Sequence, residues 1–168
     1  MKHFLLTLLI IAGSCQAVFA KDGYTIKLKF SDLKDQKVFL AHYYGKPLPT
    51  IYKVDSATID SKGAGVLQTD QKIIGGLYMV ILQDNSKYFE FLLDNGQALD
   101  ITATASKLPL GVSYKNSPEN ERFLQYVAFL DKVGQQHRQL TADLSQAKAA
   151  KDSAAIQDKF RALSVDVT

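Results

Sequence analysis

Titratable chemistry in this 168-residue chain rests on three histidines, one cysteine and 17 Asp and Glu residues. A single cysteine, Cys15, excludes a disulfide scaffold and every zinc site built on repeated cysteines. His3 lies in the N-terminal leader, and His42 and His137 are far apart, neither with another His or Cys close in sequence. His42 sits beside Tyr43 and Tyr44 at the end of a strand-like run and reads as a sheet-rim residue. His137 falls on the a position of a helical repeat, where a polar residue more often sets register than holds a metal. No metal and no cofactor are expected.

A glycosidase needs two carboxylates at matched distance across a cleft. Asp55, Asp60, Glu90, Asp94 and Asp100 all fall in the strand-rich part, but no spacing selects a pair. Asp60 and Asp94 occupy turns, where acids are ordinary. Glu90 alternates with Phe89 and Phe91 and should face solvent, whereas Asp55, followed by Ser56 inside a strand, stands out. There is no G-x-S-x-G elbow and no glycine loop opening a helix after a strand with a lysine behind it. What remains is aromatic. Tyr43, Tyr44 and Tyr52 flank the Lys46-Pro47-Leu48-Pro49 loop and form a candidate binding surface for a sugar ring or a protein partner.

These side chains need elements to hold them. Tyr24 to Phe30 alternates with period two, the mark of a half-buried strand. Lys37–Tyr44, Thr50–Ile59, Gly65–Thr69, Leu77–Gln83, Tyr88–Leu93 and Ala98–Ala105 read as further strands, separated by turn residues. Asp94-Asn95-Gly96 predicts a tight hairpin, because Asn-Gly tolerates positive φ at both turn positions. The expected fold is α+β: an antiparallel β-sandwich or partly open barrel of about seven to eight strands over residues 23–114, followed by an α-helical hairpin over 117–165. The sandwich is expected to fold without the helices.

Asn116-Ser117-Pro118-Glu119 starts the first helix, with a capping side chain, an early proline and an early acid. Phe123, Leu130, His137 and Leu144 recur every seven residues, with Tyr126, Val133, Leu140 and Ala147 as companions. Phe123 and Leu130 are expected to anchor this seam. Asp152-Ser153 starts a second helix with Ile156, Phe160 and Leu163 on its apolar face, and the hairpin then stops abruptly.

Residues 1–20 have the order of an export signal: a basic start at Lys2, an apolar run Phe4–Ala12, and small residues in Val18-Phe19-Ala20. The run is too short for a spanning helix. Cleavage after Ala20 leaves no thiol. Ala12-Gly13-Ser14-Cys15 also resembles a lipobox, so lipidation at Cys15 is the alternative. The expected location is the periplasm or cell envelope. A net charge of +3 is too small to indicate nucleic acid binding.

Val54-Asp55-Ser56-Ala57, Gly65-Val66-Leu67 and Gly76-Leu77-Tyr78 resemble motifs of a β-rich domain of unknown function found at the N-terminus of exported TlpA-like thioredoxin proteins of Gram-negative bacteria. Phe91 to Gly96 resembles that domain's last hairpin. Ser117-Pro118-Glu119-Asn120, with Phe123, resembles its S-x-x-N-x-x-F entry into the helices. The resemblance implies a non-catalytic accessory module of a thiol–disulfide oxidoreductase, whose thioredoxin domain would follow as the principal partner. Thiol exchange needs a thiolate, so this segment is not expected to be an enzyme. No catalytic residue carries over, and Asp55 and Ser56 match a motif without known chemistry. A free-standing envelope binding module for glycan or peptide is the alternative.

Overall fold

The computed structural model describes residues 22–45, 50–147 and 150–165. The export signal with Cys15 and the 46–49 loop lie outside the described residues. Eight strands form two four-stranded sheets stacked as an open sandwich. They are β1 (Tyr24–Phe30), β2 (Gln36–Tyr44), β3 (Thr50–Ile59), β4 (Ala64–Thr69), β5 (Gly76–Leu82), β6 (Tyr88–Leu93), β7 (Gln97–Ala103) and β8 (Val112–Lys115). One sheet has the order β4-β1-β7-β8 and the other β3-β2-β5-β6. Helices α1 (Pro118–Gln146) and α2 (Ala150–Val165) follow.

Strand alternation supplies the core. Ile26, Leu28 and Phe30 of β1 face Val38 and Leu40 of β2, Val80 of β5 and Phe89, Phe91 and Leu93 of β6 in one buried cluster. The Asp60–Gly63 turn carries the chain from one sheet to the other. Its Asp60 carboxylate accepts from the Lys62 and Ala64 amides at 2.8 Å each. These bonds, Ala64's foremost, hold its carboxyl below the usual range. Gly63 closes the turn at φ +80°, and a Cβ there would collide with the Phe30 carbonyl oxygen.

Two features depart from an antiparallel hairpin plan. β1 and β7 run parallel, Tyr24 beside Gln97 through Phe30 beside Ala103. And Asn95-Gly96 does not join a hairpin, because β6 and β7 belong to different sheets. Positive φ falls on Gly96 (+75°) and not on Asn95. The turn instead crosses the sandwich and starts the parallel pair: the Gly96 amide donates to the Gly23 carbonyl at 2.7 Å.

α1 docks by its first turns. Asn120 is fully buried and pairs with the backbone of edge strand β6. Its Oδ1 accepts from the Leu92 amide at 2.7 Å, and its Nδ2 donates to the Leu92 carbonyl at 2.9 Å. Nδ2 also donates to Ser117 Oγ at 3.0 Å, so Ser117 braces Asn120 and makes no side-chain cap on the helix backbone. Two residues back along β6, the Glu90 carbonyl accepts from the Tyr114 hydroxyl of β8 at 3.1 Å. Leu124 packs on the core while Leu130 is 40% exposed and Tyr126 57%. Leu124, Val127 and Leu130 together line a hollow against Tyr88, Leu108 and Pro109, and Phe123 is half-buried, so the expected Phe123–Leu130 line lies beside the Asn120–Leu124–Val127 stripe. Farther along, α1 and α2 lie against each other, with the His137 ring edge-on to Phe160 at 5.1 Å.

Candidate functional site

Strand β3 carries an irregularity that shapes its surroundings. In its pairing with β2, Leu40 faces Asp55 and the next residue, Ala41, faces Lys53, so Val54 is left over as a β-bulge. From Ile59 back to Asp55, odd-numbered residues point inward. Beyond the bulge the parity reverses, and Tyr52 comes to lie opposite His42 on the inner face. Without the bulge Tyr52 would point away from Asp55; with it, Asp55, Tyr52 and His42 share one side.

His42 and Asp55 border a cleft of about 330 Å³ on the β3–β4 side of the sandwich, lined also by Tyr24, Val54, Gln68, Thr69, Gln71, Lys72, Ile73, Ile74 and Tyr78, with Tyr52 packed outside it against His42. At its floor the Tyr24 hydroxyl donates to Asp55 Oδ2 at 2.9 Å, while Oδ1 accepts from the Ser56 amide at 2.7 Å. The His42 ring stands edge-on to Tyr78 at 5.4 Å and tilted to Tyr52 at 6.0 Å, and Tyr44 continues the row 6.4 Å from Tyr52. A hollow of about 520 Å³ adjoins it, sharing Tyr24, Gln68 and Thr69 and otherwise lined by chain around Gly23 and Gly96.

The far wall is the segment between β4 and β5, and it is tied down. Asn95 Oδ1 accepts from the Ile73 amide at 2.8 Å, and Nδ2 donates to the Ile73 carbonyl at 2.7 Å. This repeats, just beyond the end of β6, the two-point clasp that Asn120 makes on Leu92. The Tyr78 hydroxyl adds a bond to the Ile74 carbonyl at 2.8 Å. The side chain of Ile74 is left 86% exposed at the cleft mouth.

Electrostatics keep the phenols neutral. Burial, then the bond to Asp55, raises Tyr24 well above the ordinary tyrosine range. Burial, then the charge of Asp94, raises Tyr78. Beside these phenols the cleft lining includes Thr69, Gln68, Gln71, Asp55 and Lys72.

The three tyrosines named from sequence do not form one surface. Neighbours on a strand point to opposite faces. Tyr44 and Tyr52 lie with His42 on the inner side. Tyr43 lies on the outer side near Glu90 and Tyr88, where burial, then the Glu90 charge, pushes its phenol up to about 12. Lys53 shares that outer side, its ammonium 3.9 Å from the centre of the Phe39 ring. Ser56 pairs with Phe39 and faces away from the cleft that Asp55 borders. Glu90 is half-buried, and Asp60, Asp94 and Asp100 are exposed and remote from one another in role. Among the described residues, no three His, Cys, Asp or Glu side chains are placed to hold a metal ion.

A family model described as "Domain of unknown function (DUF4369)" matches residues 24–123. The chain belongs to this family. The match begins with β1 and ends one turn into α1, so the family domain includes Asn120 and its clasp on Leu92. No curated protein matches the chain. Among solved structures, a Klebsiella pneumoniae 5-hydroxyisourate hydrolase is similar at 10% identity and a TM-score of 0.31, covering 59% of this chain and 95% of that one. A likeness that faint assigns no activity.

Sequence reasoning missed several residues of this family domain that build the site. Tyr24 and Tyr78 read as plain strand residues, Asn95 as a turn former and Lys72 as loop. For Asn95 a signal existed: an Asp-Asn-Gly turn that also faces a Gly75-Gly76 break has backbone nearby for its amide to reach.

Proposed function

We propose that the chain is a non-catalytic module of an exported envelope protein, which holds a helical hairpin, and whatever is joined to it, in a fixed pose on a β-sandwich. The observation that carries this reading is the Asn120 clasp. A fully buried amide closes the open edge of β6, so α1 leaves the sandwich as a rigid arm. Export rests on the order of residues 1–20, with lipidation at Cys15 as the alternative route to the envelope. Mass spectrometry of the secreted form would show Lys21 first; an acylated Cys15 at the N-terminus would replace the soluble form by a lipid-anchored one.

The thioredoxin setting rests on the TlpA-like resemblance of Val54–Ala57, Phe91–Gly96 and Ser117–Phe123. Its test is disulfide reduction with insulin as substrate. The chain alone should be inactive, since exchange needs an attacking thiolate and cleavage after Ala20 removes Cys15. The product of the gene read past Thr168 should gain a Cys-x-x-Cys pair and activity. Asn120→Ala should lower that activity. Activity in the chain alone, or a stop codon directly after Thr168, would overturn the redox role.

A further inference from the structure

We infer that the cleft between β3 and the Gln71–Ile74 segment is a binding site for a neutral sugar ring. It lies on the β3–β4 side, whereas α1 docks on the β6–β8 side, so its failure would leave the positioning role untouched.

A sugar ring offers an apolar face of C–H groups and an equatorial rim of hydroxyls that both donate and accept. The cleft answers both. Val54 and Ile74 of its lining are 42% and 86% exposed, and the 59%-exposed Tyr52 ring extends the rim from His42, 6.0 Å away, so apolar surface borders the polar groups. The floor holds the Asp55 carboxylate as acceptor, and the far wall carries Gln71, whose amide both donates and accepts, and Lys72, whose ammonium donates. One acid and one base leave little net charge, which disfavours a cationic or a phosphorylated ligand relative to a neutral polyhydroxylated one. The volume of about 330 Å³ suits a small ligand. The walls are set in advance. Asn95 fixes Ile73 at both backbone groups, Tyr78 fixes Ile74, and Tyr24 fixes Asp55, so little ordering is left to be done on binding.

The test is titration of the ¹⁵N-labelled full chain with maltose, cellobiose and N,N′-diacetylchitobiose, read by amide chemical shifts. At least one sugar should move the amides of Tyr52, Asp55 and Ile73 together. Tyr52→Ala removes an exposed ring and should weaken binding by about tenfold without changing the melt. Asp55→Asn keeps the shape but removes the charged acceptor and should weaken binding by about tenfold or more. Tyr43→Ala, on the opposite face, should bind as the parent does. The inference fails if none of the three sugars moves these amides, if binding survives both cleft substitutions, or if a Lys- and Arg-rich peptide moves them where the sugars do not.

Discussion

Asn120→Ala should cost more stability than any comparably small truncation in the molecule. The side chain has no solvent exposure and makes three hydrogen bonds, two of them to Leu92 N and O on an edge strand. Its loss leaves one donor and one acceptor facing the inner side of a helix, where the replacement methyl offers neither. Each stranded buried group costs roughly 1–3 kcal/mol, so two give about 2–6 kcal/mol, the lower end applying if water enters the gap. For a chain of this size that corresponds to a fall of roughly 4–24 °C in melting temperature. Urea denaturation would give the free energy, and hydrogen exchange at Leu92 would locate it, since that amide should lose protection before the β1 and β7 amides do. Asn120→Asp is the discriminating companion. It keeps an acceptor for Leu92 N but sets carboxylate oxygen against the Leu92 carbonyl, and should destabilise at least as much while keeping more of the Leu92 protection. A loss below about 0.5 kcal/mol for Asn120→Ala, with Leu92 exchange unchanged, would refute the reasoning.

Three further outcomes follow from the same geometry. Asn95→Ala should speed exchange at Ile73 and its neighbours while β2 and β5 keep theirs, with a stability loss of about 1–3 kcal/mol by urea denaturation. Gly63→Ala forces a Cβ onto φ +80° and against the Phe30 carbonyl, and should lower stability by roughly 2 kcal/mol or more in the same assay. Alkaline pH should weaken the fold. Burial raises Tyr24, Tyr78 and Tyr114, and Tyr43 to about 12. Below the unfolded value of about 10 this stabilisation is complete, and above it the unfolded chain loses protons first, so stability falls as pH climbs through the folded values. Urea midpoints measured across that range should decline, and Tyr114→Phe should flatten the decline.

Elements that depend on near neighbours were legible in the sequence. Tyr24–Phe30 and Tyr88–Leu93 occur where period-two alternation places them, and α1 begins at Pro118 as the Asn-Ser-Pro-Glu run implies. Relations between distant segments were not. Asn95-Gly96 has the local chemistry of a hairpin, yet β6 and β7 lie in different sheets, and nothing local tells a turn within a sheet from one across a sandwich. The Val54 bulge arises from the match between β2 and β3, so the side on which Tyr52 falls could not be read from β3 alone. Asn120 stood out as the Asn of the S-x-x-N-x-x-F run, but its role did not, because its partner is backbone 28 residues earlier. The candidate site is built from such distant relations, which is why Asp55 and Tyr52 were visible singly and their cleft was not.

The rigid attachment of α1 is tested most directly by a distance measured across the joint. In a Cys15→Ser background, spin labels at Thr102→Cys on the exposed face of β7 and at Arg138→Cys on α1 report the angle between sandwich and arm. A single narrow distribution is expected for the parent chain, broadening into several distances once Asn120→Ala is added. A broad distribution in the parent, or one equally narrow in both, would contradict the claim that the Asn120 clasp holds the helical arm on the sandwich.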